Sequence, residues 1–225
     1  MYKSLSRIFS FSRSTVLPIP SRTMTMYNPH FVDPVFRKEK QQVLKDTGEA
    51  SKLSHVRIKA ALNNETSSVF FDDRVAKFTN YIMEGGQKEL ARSLLTKCFE
   101  NIKRIQLERY NLASPEEKDK IETNPVKIFH AAVENCRPLL HTTPIKRGGQ
   151  RYQVPVPVTE KRSYFMAMKW ILEAAREKER KVHLPEKLAW ELLDAAAYQG
   201  KVIKKKQDLH KQCEANRAYA HYRWS

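Results

Sequence analysis

The sequence predicts a mainly α-helical domain of about six helices with a protruding β-hairpin. Three observations predict it. After residue 72 apolar residues recur at three- and four-residue spacing through most of the chain. A single stretch, Tyr152 to Val158, alternates strictly, and it follows a Gly-Gly pair suited to a tight turn. Glycine and proline punctuate the segments at Gly85-Gly86, Pro125, Pro138 and Gly200.

Taken in order, residues 33–72 form a charged extension, with one loose helix over 34–46 stopped near Gly48. Asp72 or Asp73 caps the first domain helix, whose inward face is Val75, Phe78, Ile82 and Met83. A second helix over 88–109 turns Leu90, Leu94, Cys98, Ile102 and Ile105 inward, and 111–123 is a polar loop. Asn124 caps a third helix with Pro125 in its first turn, carrying Val126, Phe129, Ala132, Val133 and Cys136. Residues 139–158 form the hairpin. Pro155 and Pro157 lie on alternate positions, so they remove N–H donors from one edge only and leave the other free to pair. Helices over 161–180, 186–199 and 204–219 complete the chain. The middle one is apolar on several faces, as a buried helix is, and Gly200 sits where a C-terminal glycine would end it.

Charge narrows the function. The 225 residues carry a net charge of +16, with a pI near 9.8. Residues 61–144 balance 12 basic against 12 acidic side chains, whereas 145–225 hold 18 against 9. A neutral middle with basic flanks points to a polyanion partner rather than a small substrate. Residues 1–32 hold Lys3, Arg7, Arg13, Arg22 and six serines, with no acid before Asp33. This is the composition of a mitochondrial transit peptide, or of a disordered basic arm that binds RNA. Three cysteines far apart in sequence argue against a disulfide framework and for a reducing compartment. No stretch is apolar enough to suggest a membrane span.

Several constellations face a polyanion. At about 100° per residue, Arg162, Lys169, Arg176 and Arg180 fall within roughly 40° of one another, a stripe about 27 Å long. Glu173 lies close to it and is placed to pair with Lys169 or Arg176. Lys146, Arg147 and Arg151 surround the hairpin tip with Gly148, Gly149 and Gln150. On the last helix Lys206, His210 and Arg217 share a face. Arg217, Tyr219, His221, Tyr222, Arg223 and Trp224 then interleave base and aromatic, suited to stacking on unpaired bases or to docking on a protein. Signals for catalysis are poor. Gly148-Gly149-Gln150 and Gly85-Gly86-Gln87 match the tripeptide of peptidyl-tRNA hydrolysing release factors, but each runs straight into a regular element, without that family's flanking pattern. His210 and Cys213 have no second pair with which to hold a metal. No cofactor-binding motif is present.

Five segments carry a resemblance: Glu134-Asn-Cys-Arg-Pro138, Arg147-Gly-Gly-Gln-Arg-Tyr-Gln-Val-Pro-Val156, Ala167-Met-Lys-Trp-Ile-Leu-Glu-Ala-Ala-Arg176, Leu188-Ala-Trp-Glu-Leu-Leu-Asp-Ala-Ala196 to Ala197, and Glu214 through Trp224. Together they resemble the bacterial-type small-subunit ribosomal protein seven family, over roughly 73–110 and 124–224. With the basic leader, the chain looks like its mitochondrial member. The resemblance implies a structural role in the mitochondrial matrix, not catalysis. It implies binding to the 3′ major (head) domain of small-subunit rRNA, nucleation of head assembly, and a hairpin near exit-site tRNA and the mRNA path. By position it implies rRNA contacts at Lys77, Lys88, Lys146, Lys161, Arg162, Lys169, Arg176 and Arg180. Arg147 to Arg151 would face tRNA. Lys206, Arg217, Tyr222, Arg223 and Trp224 would meet RNA or neighbouring proteins of head and platform. The family's Gly-Lys-Lys after the first helix is here Gly86-Gln87-Lys88.

Overall fold

A computed structural model describes residues 27–28, 30–62, 65–119 and 121–223. Most of the leader and Trp224 therefore lie outside the described residues. The chain divides into two compact units, Met1–Phe71 and Asp72–Ser225.

In the first unit, helices α1 (Lys38–Asp46) and α2 (Glu49–Leu53) flank Gly48, which takes a left-handed φ of 71°. The break at Gly48 matches the sequence; the second helix was not expected from it. A parallel bridge joins Val32 to Ile58, and Lys59 reaches Asp33 at 2.7 Å. Neither helix buries a residue, and Val69 and Phe70 are almost wholly exposed.

The second unit holds α3 (Asp73–Ile82), α4 (Lys88–Leu112), a one-turn α5 (Pro115–Lys118), α6 (Pro125–Cys136), strands β1 (Leu140–Arg147) and β2 (Gln150–Pro157), then α7 (Glu160–Arg176), α8 (Leu184–Ala196), α9 (Gly200–Ala215) and a 3-10 turn, Arg217–Arg223. Two caps form as the sequence predicts. The Asp72 carboxylate accepts from the Arg74 and Val75 N–H groups, and Asn124 accepts from the Val126 N–H. Helix α8 lies at the centre, touching α4, α6, α7 and α9. Leu188, Ala189, Leu192, Leu193 and Ala195 are buried on it, because aliphatic residues occur on nearly every face. Phe129 of α6 packs on Phe78 and Phe99, with ring centroids 5.2 and 6.1 Å away. Cys98 and Cys136 are buried in this core, and desolvation pushes both thiols up to about 12.

Four expectations are corrected. On α4 the buried positions are Ala91, Leu95, Cys98 and Ile102; Leu90 is 54% exposed, because the stripe set by Cys98 and Ile102 runs back through Leu95 and Ala91. The polar loop at 111–123 is shortened at its start by α4 and contains α5. Helix α7 ends at Arg176, four residues early, where the charged run Glu177–Lys181 offers nothing to bury. Gly200 does not end α8. The terminator is Tyr198, which adopts φ 60°. Its N–H donates to the Ala195 carbonyl at 3.1 Å and the Gln199 N–H to the Asp194 carbonyl at 2.7 Å, the paired bonds of a Schellman motif. A left-handed tyrosine is strained by its Cβ. Tyr198→Gly is therefore expected to raise stability by about 1 kcal/mol. The loss of Lys206 from above its ring, at 5.4 Å, offsets part of this. Thermal denaturation should show a Tm higher by about 2–4 °C.

Candidate nucleic-acid interface

The hairpin register follows from sequence. Gly148 and Gly149 both have positive φ, 56° and 83°, as a two-residue type I′ turn demands. Arg147 therefore faces Gln150, Lys146 faces Arg151 and Ile145 faces Tyr152. The Val158 N–H donates to the Leu139 carbonyl at 3.0 Å. Alternating from that bond, Thr142–Pro155, Leu140–Pro157 and Pro144–Gln153 are non-hydrogen-bonded pairs. All three prolines thus sit where the missing N–H would have pointed outward, so neither strand loses a ladder bond and both outer edges are blunted.

The same alternation divides the basic tip between two faces. Tyr152 and Val154 point inward; Val154 is fully buried, and Tyr152 packs on Tyr219 and Tyr222 of the 3-10 turn at 5.1 and 5.4 Å. Arg147 shares this face, and its guanidinium lies 5.7 Å from the centre of the Tyr222 ring. The outer face carries Lys146 and Arg151 as a direct cross-strand pair beside Pro144, around an open hollow. Neither makes an ion pair among the described residues. Gln150 is held by its own strand, accepting from the Tyr152 hydroxyl at 2.9 Å, and the Gly-Gly-Gln serves the turn.

A second basic face forms along α3 and α7. Arg162 and Lys169 lie one on each side of Phe165, at 5.1 and 5.9 Å from its ring centre. Tyr81 meets Phe165 edge-on at 5.6 Å. Lys77, four residues before Tyr81, shares that face of α3. So cations from two distant segments are brought to one surface. Arg176 ends the row with a 2.5 Å salt bridge to Glu84. With α7 ending there, Arg180 lies in the following turn and not on the stripe, which shortens to about 21 Å. Lys161 is exposed at the start of α7 and Lys88 opens α4. Glu173 pairs with neither expected partner; Lys205 of α9 takes it at 2.8 Å, because α9 packs on that side of α7.

Two residues placed on the binding face are structural. The Lys206 ammonium donates to the Asn135 carbonyl at 2.6 Å, capping the end of α6. His210 accepts from the Leu139 N–H at 3.1 Å, which needs an unprotonated ring nitrogen; burial, then the Lys206 charge, lowers its pKa accordingly. Arg217 and Arg223 bound the 3-10 turn.

The sequence did not assign a network built on Glu134 and Arg137. Arg74 reaches Glu134 at 3.0 Å and the Tyr164 hydroxyl at 2.6 Å. Arg137 reaches the same two groups at 2.7 and 2.9 Å, and its Nε donates to Ser163. Both guanidiniums lie over the Tyr164 ring, at 4.4 and 4.0 Å, and the Tyr164 hydroxyl donates to Glu134. Partial burial works against the Glu134 carboxylate. Hydrogen bonds from Tyr164 and Arg137, with the charges of Arg137 and Arg74, outweigh it and hold the pKa below the usual value. Beside it, Asn135 donates to the Ala195 and Ala196 carbonyls at 3.1 and 3.0 Å, and His130 pairs with Asp72. The Glu134–Pro138 motif therefore ties α3, α6, α7 and α8 together. Only its recurrence in the resemblance signalled it.

Two basic faces on a helical scaffold, with the Gly-Gly-Gln at a hairpin turn, are the features of a structural protein. The chain belongs to the ribosomal protein S7p/S5e family, whose model matches residues 36–217. It is 61% identical over 204 residues to the small ribosomal subunit protein uS7m of Drosophila melanogaster, covering 91% of this chain and 92% of that protein. It is 47% identical over 222 residues to the Bos taurus protein of the same name (94% and 92%), and 35% identical over 222 residues to that of Caenorhabditis elegans (97% and 99%). Family membership makes it a structural ribosomal protein and not an enzyme.

Proposed function

We propose that the chain is a structural constituent of the mitochondrial small ribosomal subunit that binds the head domain of its rRNA and nucleates head assembly. The names of its relatives and the family match support the particle and the organelle. The observation that carries RNA contact is the Lys146–Arg151 pair. Like charges directly opposite in a non-hydrogen-bonded pair destabilise a hairpin, so they are explained by an external anion rather than by folding. The α3–α7 face, with Lys77, Arg162 and Lys169, is the rRNA anchor, joined at its margins by Lys88, Lys161, Arg176 and Arg180. The hairpin faces exit-site tRNA and the mRNA path through its outer face. The C-terminal turn and the exposed first unit meet neighbouring proteins of head and platform, and residues 1–32 are an import leader.

The protein should bind a transcript of the head-domain rRNA with steeply salt-dependent affinity, and should sediment with small subunits in mitochondrial extracts. Recovery mostly off the particle would point instead to a free RNA chaperone and overturn the reading.

A further inference from the structure

The groove between α7 and α9 is lined by none of the residues assigned above to RNA. Trp170, Lys204, Lys205, Asp208 and Gln212 help line an open hollow of about 400 Å³, within the ~300–1,000 Å³ range of small-ligand sites. It borders the basic row, since Trp170 follows Lys169 and lies about 100° further round α7.

The charges in this groove are largely settled within the protein. Lys205 pairs with Glu173 at 2.8 Å and Lys201 with Glu177 at 3.3 Å. Lys204 is exposed and has no ion-pair partner among the described residues. What remains is one unpaired ammonium, one half-buried indole, the carboxylate of Asp208 and the amide of Gln212. A duplex backbone needs a row of free cations, which this groove lacks. A single unpaired nucleotide needs one phosphate contact, one ring to stack on and polar groups for its base edge. A carboxylate is suited to accept from an exocyclic amino group, and an amide offers both donor and acceptor. The Lys205 ammonium lies over the Trp170 ring, 5.5 Å from its centre, so a base stacking on the indole from the groove would take the place of that ammonium, which Glu173 holds at 2.8 Å.

We propose that the α7–α9 groove holds one unpaired nucleotide of an RNA strand, with the base on Trp170, its edge toward Asp208 and Gln212, and the phosphate on Lys204. The inference rests on the RNA-binding reading but uses different residues. In the full chain carrying W190F and W224F, Trp170 is the sole tryptophan. Its emission should be quenched by a mixed-sequence single-stranded oligoribonucleotide, and not by the same sequence as a duplex or by heparin, a polyanion without bases. Lys204→Ala, an exposed change that leaves the core intact, should raise the quenching midpoint about tenfold, the loss of one charge-assisted contact. Equal quenching by heparin would show that charge alone reaches the groove and overturn the proposal. Absent quenching, while the hairpin variants described below still lose salt-sensitive binding, would sink the groove and leave the RNA-binding reading standing. Quenching only when other ribosomal proteins are added would assign the groove to a protein side chain and likewise overturn it. If the chain shows no salt-sensitive RNA affinity, both fall together.

Discussion

Replacing Lys146 and Arg151 together with glutamine is expected to flatten the salt dependence of RNA binding without lowering Tm. The two residues form a direct cross-strand pair on the outer face of the hairpin. At a non-hydrogen-bonded position their Cα atoms stand about 4.5 Å apart, so their repulsion costs the free protein a few tenths of a kcal/mol, up to about 1. Removing both charges relieves that cost. If each meets one phosphate, the slope of log K against log salt should shrink by about 0.9 per contact, near 1.8 in all. Arg147→Gln should behave differently, because its guanidinium lies on the Tyr222 ring and part of its loss falls on the brace between hairpin and C-terminal turn. The measurements are salt titrations of affinity for tRNA and for head-domain rRNA, and a thermal melt. A slope unchanged with both RNAs would remove the hairpin from the RNA interface. A lower Tm would mean that the pair serves the fold instead.

The contrast between Lys146 and Lys206 shows which parts of this site can be read from sequence. A strand repeats every two residues, so once the Gly148-Gly149 turn is recognised the faces of Lys146, Arg147, Arg151 and Tyr152 follow with no further information. Helix ends set by local chemistry, at Asp72 and at Asn124-Pro125, were equally legible. Lys206 and His210 share a basic face when only their own helix is considered. Their roles depend on Asn135 and Leu139, which are about seventy residues away and which no local pattern brings near. The end of α7 escapes local pattern for a related reason. Arg180 continues the helical angle of Arg162, but angle alone does not hold a turn that has nothing to pack against. At Tyr198 the glycine rule points to Gly200, two residues late, because the Schellman bonds close on a tyrosine that takes the left-handed position a glycine usually fills.

The Glu134 network should give the largest stability effect. Glu134→Gln keeps the shape of the side chain but removes the charge that holds Arg74 and Arg137 over Tyr164. Hydrogen bonds to charged groups contribute about 1.5–3 kcal/mol each. Here the Glu134 side chain is 42% exposed and water can replace part of what is lost, so the expected loss is about 2 kcal/mol for the whole cluster. Tyr164→Phe should cost less, since the ring stays under both guanidiniums. The pH dependence separates charge from packing. Folding depresses the Glu134 pKa below its ordinary 4.5, so its contribution is fully present above that value and is lost as pH falls through the lower folded value. The unaltered protein should therefore lose stability on acidification below about pH 4.5 more steeply than E134Q, and the two Tm curves should converge. Asp72 is also depressed: burial raises its pKa, but hydrogen bonds from His130 and from the Val75 and Arg74 N–H groups outweigh it. It remains in both proteins, so some acid sensitivity should persist in E134Q. Parallel Tm curves from pH 7 down to 3 would show that Glu134 acts through shape and not through its charge. An unchanged Tm at neutral pH would show that α3, α6 and α7 are held together by their apolar contacts alone.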